Sequence, residues 1–326
     1  MASKGLSWLD IHCHFRPPFK SEEERKDAIQ AMHEGSFMVP DDWTWSVEDS
    51  LAYQDKAGIQ MQMLSYLPPG TKALRASNNF AAAQVKKHST RFGLLCALPT
   101  DDPEGCLAEI ERAKNELHAD GFAVSAVRND VMLSDPSLEA VWARLNEMKA
   151  TVFSHPNAYA PARDGRPSPL IEVAFETCRV AVAMLYRGIF KRYPDINFVF
   201  SHCGGALPVL SGRLELLGAE GWVPNPEKLT SEEIRECLSR LWLDVAATAE
   251  TGMQPAVKMV GKEKVVYGAD CGVPCSTHDT MESNRASVLR LEKELGLKPM
   301  TVAENGWKLF PAAAERAKPS GMNGTR

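Results

Sequence analysis

Asp10-Ile11-His12-Cys13-His14 ends the first apolar run of the chain, which begins at Leu6. The run is typical of a β-strand, in which successive side chains point to opposite faces. His12 and His14 therefore share one face and Cys13 lies on the other, so both imidazoles can bind the same ion. Eight histidines in 326 residues also produce such a pair by chance. Whether this pair binds an ion depends on the other residues of the chain.

Seven more strand-like runs follow, and stretches of helical period separate them. Eight such units predict an α/β fold, the TIM (β/α)8 barrel. Helix starts are indicated at Ser46, Asp102 and Asp135, and one long helix is predicted from Glu172 to Tyr193. The predicted strands are Leu6 to Ile11, Ile59 to Tyr66, Phe92 to Leu98, Gly121 to Ala126, Thr151 to Ser154, Asn197 to Ser201, Leu241 to Val245 and Val265 to Tyr267.

A long insertion, Phe15 to Trp45, follows the first strand and is rich in Pro, Trp and charge. Loops after the strands form the active face of a barrel, so we expect the insertion to lie over the mouth. An ordinary surface excursion is the alternative. No linker divides the chain, and we predict one domain over residues 1–311 with a flexible C-terminal tail over residues 312–326.

The composition excludes several classes of partner. A net charge of -5 offers no basic field for nucleic acid or anionic lipid, and no apolar segment is long enough to span a bilayer. Met1 to Trp8 does not read as a secretory signal, so we expect a cytoplasmic protein. The eight cysteines form no paired framework and are expected to be reduced.

Three further ionisable residues lie at predicted strand ends. His155 follows the fifth run, His202 the sixth and Asp270 the eighth. The carboxyl ends of barrel strands meet at one mouth, so these side chains should gather around His12 and His14. Such a group of imidazoles and a carboxylate predicts a divalent-metal site. The other histidines are assigned solvated or capping roles, and they are His33, His88, His118 and His278.

This order of residues resembles the amidohydrolase superfamily, and the resemblance covers nearly the whole chain. It implies one divalent metal on His12, His14, His155 and Asp270, with His202 beside it. The fourth strand carries no lysine in Gly121 to Val127, whereas binuclear members commonly place a bridging lysine there, so a single ion is expected. His-x-His on the first strand resembles the zinc-using members, which favours zinc. Manganese also suits imidazole and carboxylate ligands.

Within the superfamily, three segments look like the branch of aminocarboxymuconate semialdehyde decarboxylase. They are Phe153 to Pro156, Arg192 to Gly205 and Tyr267 to Asp270. The chain length and three other segments look most similar to the 6-methylsalicylate decarboxylases of fungal polyketide pathways. These segments are Glu104 to Ile110, Asp120 to Val124 and Leu207 to Arg213. The resemblance implies non-oxidative decarboxylation of a small ortho-hydroxy aromatic carboxylate, with 6-methylsalicylate giving 3-methylphenol and CO2. Relatives in this branch are often dimers, which implies a homodimer.

Asp270 is the expected proton carrier as well as a ligand, and His202 the neighbouring acid or base. Gly204 and Gly205 let the backbone turn sharply after His202. A fourth-imidazole role for His202 is the alternative. We expect the substrate ring to meet aromatic walls, and Arg16 or Arg163 to meet its carboxylate. The aromatic candidates are Phe15, Trp43, Trp45 and Tyr66.

Two other functions fit the same residues. A hydrolase of this fold, a lactonase or an amidase acting through metal-activated hydroxide, would use the same ligands. A metal-binding regulator without catalysis is the second, but such a protein would not need His202 free at the mouth. A panel of hydroxybenzoates, lactones and amides separates these functions.

Overall fold

The computed structural model describes residues 6–318, and a barrel of eight parallel strands lies at its centre. Each strand pairs with the next along the chain. The strands are β1 (Trp8–His14), β2 (Ile59–Ser65), β3 (Phe92–Ala97), β4 (Gly121–Ser125), β5 (Thr151–His155), β6 (Asn197–Phe200), β7 (Trp242–Asp244) and β8 (Val265–Val266). Backbone hydrogen bonds join β1 to the segment that directly follows β8, from Ile11 N to Tyr267 O at 3.0 Å and from His14 N to Cys271 O at 2.7 Å. The predicted α/β barrel is confirmed.

Helices cover the outside of the barrel. Side chains of Ser46, Asp102 and Asp135 cap the helical segments that begin after them, as predicted. The α-helices are Glu22–Glu34, Val47–Ala57, Thr71–Lys87, Pro103–Arg112, Glu139–Glu147, Glu172–Tyr186, Ile189–Arg192, Leu207–Leu217, Ser231–Ser239, Ala249–Val260, His278–Glu294, Thr301–Leu309 and Pro311–Ala317. In the part of the chain that the structure describes, none of them combines the length and apolarity of a membrane span.

Two predicted segments differ from the structure. The single helix expected from Glu172 to Tyr193 is two helices, because Gly188 between them adopts a left-handed φ of 66°. The tail expected to be loose from residue 312 begins as the helix Pro311–Ala317, in which Ala313 and Ala317 are buried. Ala313 and Ala317 lie on one face of this helix and pack it against the barrel. Residues 319–326 of the predicted tail lie outside the described residues.

The buried apolar residues form two main layers. One layer fills the inside of the barrel, and the other lies between the strands and the surrounding helices. Trp307, Leu309 and Phe310 close the inner layer at the end opposite the mouth, and Trp307 Nε1 donates to Ser7 O at 2.7 Å. The barrel is therefore a packed core with a solid floor beneath its mouth.

The insertion after β1 carries a small core of its own. Its helix Glu22–Glu34 buries Ile29 and Met32 against Val39, with Phe37 and Trp43 packed on them. The insertion is therefore an ordered element rather than an extended loop. Its two ends, at Phe15 and Trp45, pack together beside the barrel with their ring centroids 6.0 Å apart.

Candidate metal centre

The first two donors come from β1, which extends to His14 and pairs with β2 through a register shift between Asp10 and Cys13. Their rings point into the mouth, as the alternation predicts. His12 is fully buried, His14 is 9% exposed, and their Nε2 atoms lie 3.0 Å apart. Phe153 of the inner layer packs edge-on against the His12 ring at 5.0 Å and supports it from below.

His155, the last residue of β5, faces them across the mouth. Its Nδ1 donates to the Pro156 carbonyl at 2.8 Å, which fixes the ring proton on that nitrogen. Its Nε2 is buried and meets no hydrogen-bond partner among residues 6–318. A buried lone pair without a partner is costly unless a cation or a ligand meets it.

Asp270 and His202 reach the same point from loops after β8 and β6. Both have left-handed backbones, with φ of 59° and 54°, a conformation that is uncommon for non-glycine residues. Asp270 Oδ1 lies 3.2 Å from His12 Nε2 and 3.3 Å from His14 Nε2. Its Oδ2 lies 3.7 Å from His202 Nε2. The carboxylate therefore stands between the β1 pair and His202.

These distances fit a single divalent ion. Nitrogen and oxygen ligands lie about 2.0–2.2 Å from zinc, and tetrahedral neighbours are then roughly 3.3–3.5 Å apart. Donor atoms of His12, His155, His202 and Asp270 all lie within 4.8 Å of one another. His14 Nε2 adds a fifth donor through its contacts with His12 and Asp270. The structure thus gathers every residue predicted at the centre.

The electrostatics of the cluster also favour a cation. Burial lowers the pKa of His155 well below its usual value, and the neighbouring imidazoles lower it further, so this ring is neutral. Burial opposes ionisation of Asp270, but His12 and its other imidazole neighbours outweigh it and hold the Asp270 pKa well below its usual range. Burial likewise opposes charge on His12, yet Asp244 and Asp270 raise its pKa to about 10. Positive charge is therefore stabilised where the donors converge.

The geometry of His202 suits both of the roles expected for it. Its Nε2 belongs to the group of four donors, which suits a ligand. Its Nε2 is also farther from Asp270 than the β1 imidazoles are, and its Nδ1 is buried without a partner in the described chain, which suits proton transfer. The predicted ligand set of His12, His14, His155 and Asp270 stays a prediction.

The sharp turn after His202 requires glycine at position 205. Gly205 has φ 60° and ψ -126°, and a Cβ built there would lie 2.1 Å from the Ala174 carbonyl oxygen. We expect Gly205→Ala to destabilise the protein by about 1–3 kcal/mol and to lower its metal content, because the strained turn positions His202. Urea unfolding and metal analysis measure the two effects.

Gly212 offers a matched control. It is exposed within the helix Leu207–Leu217, and a Cβ there meets nothing within 4 Å. Gly212→Ala should stabilise the protein by about 0.5–1 kcal/mol, since alanine is the better helix former. Equal stability of the two variants would show that the turn is not strained.

The aromatic residues predicted as substrate walls pack elsewhere. Phe15 is 2% exposed and stacks on Phe80 at 5.9 Å in the layer outside the barrel. Alternation sends residue 15 to the face opposite the two histidines, and the role of Phe15 as a substrate wall stays a prediction. Trp45 packs edge-on against the same two rings. Trp43 lies on the insertion's core, and both tryptophans line a side cavity of about 310 Å³.

The two predicted arginines are placed differently. Arg16 Nη1 donates to the Tyr66 hydroxyl at 3.4 Å, and its guanidinium lies over the Phe19 ring. Arg16 and Tyr66 therefore form one polar pair beside the end of β1 and stay a predicted substrate contact. The Arg163 side chain is 71% exposed and lies 3.7 Å from Glu172, with no contact to the donor cluster. The loop after β5 directs Arg163 to solvent, and its role as a substrate contact stays a prediction.

Sequence reasoning missed Asp244, the last residue of β7. This carboxylate is fully buried, and its Oδ2 lies 2.9 Å from His12 Nδ1. Its Oδ1 accepts the backbone N–H groups of His202 at 3.0 Å and Ala246 at 2.8 Å. The available signal was a single acid in the apolar run Leu241 to Val245, at a strand end like those that carry His155 and His202.

Comparison with known proteins relates most of the chain to one family and to several decarboxylases. The family model described as Amidohydrolase matches residues 9–317. Decarboxylase yanB of Aspergillus niger is 32% identical over 80% of this chain and 76% of its own. The 6-methylsalicylic acid decarboxylase of Penicillium expansum is 27% identical over 85% of this chain and 87% of its own.

A 2-amino-3-carboxymuconate-6-semialdehyde decarboxylase of Dictyostelium discoideum is 28% identical over 83% of this chain and 76% of its own. Among solved structures, a 5-carboxyvanillate decarboxylase of Novosphingobium aromaticivorans with bound manganese superposes with a TM-score of 0.74. It is 18% identical and covers 94% of this chain and 97% of its own, so it shows the shared fold. These findings agree with the predicted fold and family branch.

Proposed function

Because the chain belongs to the amidohydrolase family, we propose that it is a divalent-metal-dependent decarboxylase of an ortho-hydroxy aromatic carboxylate. The predicted branch and enzyme class are confirmed by relatives named as decarboxylases. The substrate that we favour is 6-methylsalicylate, converted to 3-methylphenol and CO2. The observation that carries this proposal is the gathering of four imidazoles around the Asp270 carboxylate at the mouth.

The reaction needs a proton at the ring carbon that bears the carboxylate. Direct loss of CO2 would leave an aryl carbanion, whereas protonation first lets CO2 leave from a neutral ring that then regains aromaticity. The ortho hydroxyl supplies electron density to the protonated carbon. One carbon–carbon bond breaks, one carbon–hydrogen bond forms, and one proton is consumed. The enzyme must therefore position the ring and deliver a proton.

This chain offers residues for both tasks, the positioning of the ring and the delivery of the proton. A divalent ion bound by His12, His14, His155 and Asp270 would supply Lewis-acid stabilisation of the substrate's oxygens. We propose Asp270 as the proton carrier, and the 3.7 Å distance between its Oδ2 and His202 Nε2 supports this role. His202, with a side chain 12% exposed, can exchange that proton with solvent. Arg16, paired with Tyr66, is positioned to meet an anionic substituent at the rim.

Zinc is the metal that we propose, because several imidazoles and one carboxylate are a common zinc environment. The same donor types also suit manganese, which the 5-carboxyvanillate decarboxylase structure contains. Metal analysis of the protein purified without added metal decides between them. The cytoplasmic location and the homodimer stay predictions.

A substrate panel tests the activity. We expect CO2 release from 6-methylsalicylate, with 3-methylphenol as the product, and no turnover of 3-methylbenzoate or 2-methylbenzoate, which lack the ortho hydroxyl. Gas detection and chromatography follow the two products. Rapid decarboxylation of a benzoate without the hydroxyl would contradict the proposed role of that group. Inert hydroxybenzoates together with the opening of a lactone or an amide would instead support the hydrolase.

A further inference from the structure

Asp244 makes two sets of contacts with its two oxygens, and the sets lead to different parts of the centre. Oδ2 faces His12 Nδ1, the ring nitrogen directed away from the other donors. Oδ1 accepts from the backbone of His202 and from Ala246. His12 lies on β1 and His202 follows β6, and these two strands are not neighbours in the barrel. A single buried carboxylate therefore joins them.

The first contact sets which nitrogen of His12 is free. A carboxylate accepts hydrogen bonds but cannot donate one, so His12 Nδ1 must carry a proton. In the neutral ring, the form that binds an ion, Nε2 then keeps its lone pair, directed toward His14 and Asp270, 3.0 and 3.2 Å away. Gly268 permits this approach, because a Cβ at that position would lie 2.7 Å from the His12 Cβ and 3.2 Å from the Asp244 Cγ. Carboxylates that orient a metal-binding imidazole in this way commonly strengthen metal binding.

The second contact holds an unfavourable backbone. His202 and Cys203 are both left-handed, with φ of 54°, and lead into Gly204 and Gly205. Such a conformation persists only where other contacts compensate its cost. The hydrogen bond from His202 N to Asp244 Oδ1 is one of these contacts. It fixes the backbone from which the His202 ring reaches Asp270.

We propose that Asp244 is a positioning residue that serves metal binding through His12 and proton transfer through the backbone of His202. The inference rests on the proposed function, because it concerns the same metal centre. It adds that ligand geometry and the position of the proton-transfer group depend on one carboxylate. A substitution that keeps the Oδ1 contacts and changes the Oδ2 contact should then separate the effect on metal binding from the effect on proton transfer.

Asp244→Asn is the selective variant. Its oxygen should face the N–H groups of His202 and Ala246, since the opposite orientation would set two donors against an amide donor. The amide NH2 then faces His12 Nδ1 and drives the ring proton to Nε2, the nitrogen that must bind the ion. We expect the metal dissociation constant to rise about 10–100-fold. Chelator competition with Zn²⁺, without substrate, measures it, and kcat at saturating metal should fall much less.

Asp244→Ala removes both contacts. Its metal dissociation constant should rise at least as far as that of Asp244→Asn, and kcat at saturating metal should fall further because the His202 backbone is released. In a His202→Asn background, the additional loss of kcat in Asp244→Ala relative to Asp244→Asn should disappear. An additional loss that persists there would overturn the second half of the proposal.

Asp10→Asn is the matched control. Asp10 is also fully buried on β1, but within residues 6–318 it accepts only the backbone N–H groups of His12 and Ala269 and the Gln62 amide. The control should leave the metal dissociation constant near that of the wild type. Circular dichroism identifies any variant that fails to fold. If Asp244→Ala or Asp10→Asn does not fold, the ring ¹⁵N shifts of His12 in folded Asp244→Asn test the proposed shift of the ring proton to Nε2.

The outcomes separate this inference from the proposed activity. Wild-type metal affinity in folded Asp244→Asn would overturn the role of Asp244 at His12 while leaving decarboxylation intact. A weakened metal site in a protein that decarboxylates none of the acids would preserve the Asp244 assignment and reject the proposed function. An equal loss of metal in Asp10→Asn would show that buried charge in general, rather than the His12 contact, controls affinity.

Discussion

His12→Ala and His155→Ala are expected to lose the bound ion and nearly all decarboxylase activity while keeping the barrel fold. Each removes one imidazole from a cluster whose donor atoms lie within 4.8 Å of one another, and the three remaining predicted ligands bind a divalent ion more weakly. Metal content by mass spectrometry, CO2 release and circular dichroism measure the three properties. Treatment of the wild type with a chelator should reproduce the loss, and added Zn²⁺ should reverse it.

The fold should survive because these histidines lie on the rim of the barrel. Beneath them, the inner apolar layer and its floor at Trp307 and Phe310 remain unchanged. His118→Asn is the matched control, since His118 is exposed and left-handed, a conformation that asparagine tolerates. A full equivalent of metal in either alanine variant would contradict the ligand assignment.

Asp270→Asn should reduce kcat by about 10²- to 10⁴-fold, the range typical of a lost general acid, while much of the metal is retained. Asparagine keeps an oxygen that can approach the ion, and it tolerates the left-handed backbone at this position. Its amide cannot take up and release a proton, so proton delivery should suffer more than binding. Single-turnover CO2 release with metal content measured on the same sample tests this.

His202→Asn is the variant to compare with Asp270→Asn. If His202 lies outside the ligand set, His202→Asn should cost less metal than His155→Ala and still lower kcat. A metal loss as large as that of His155→Ala would make His202 a fourth imidazole ligand. Near wild-type turnover of metal-loaded Asp270→Asn would remove Asp270 as the proton carrier, and a water positioned by His202 would take its place.

The residues that could be predicted from the sequence are those whose position follows from strand geometry. Alternation places His12 and His14 on one face, and the convergence of strand ends in a barrel brings His155, His202 and Asp270 to them. The eight strands were predicted within a few residues of their observed bounds, because each is a compact apolar run between clear helix signals.

The residues that could not be predicted depend on long-range packing. Asp244 looks like one acid at a strand end, and only the fold shows its oxygens between His12 and His202. The direction of Arg163 depends on the path of a loop, for which periodicity gives no information. Phe15 is different, because the alternation that placed the histidines also places its ring outside the barrel. The helix Pro311–Ala317 forms because the barrel buries its alanines, which local sequence does not reveal.

The closure of the barrel has a consequence for synthesis on the ribosome. β1 is made first, but its closing partners include Tyr267 and Cys271, and Trp307 bonds to Ser7. At about 5–20 residues per second, roughly 15–60 s separate translation of the two ends. During that interval the apolar strand has one free edge, and His12 and His14 lack the Asp270 carboxylate. Incorporation of the metal therefore belongs to the final stage of folding, after nearly the whole chain has emerged.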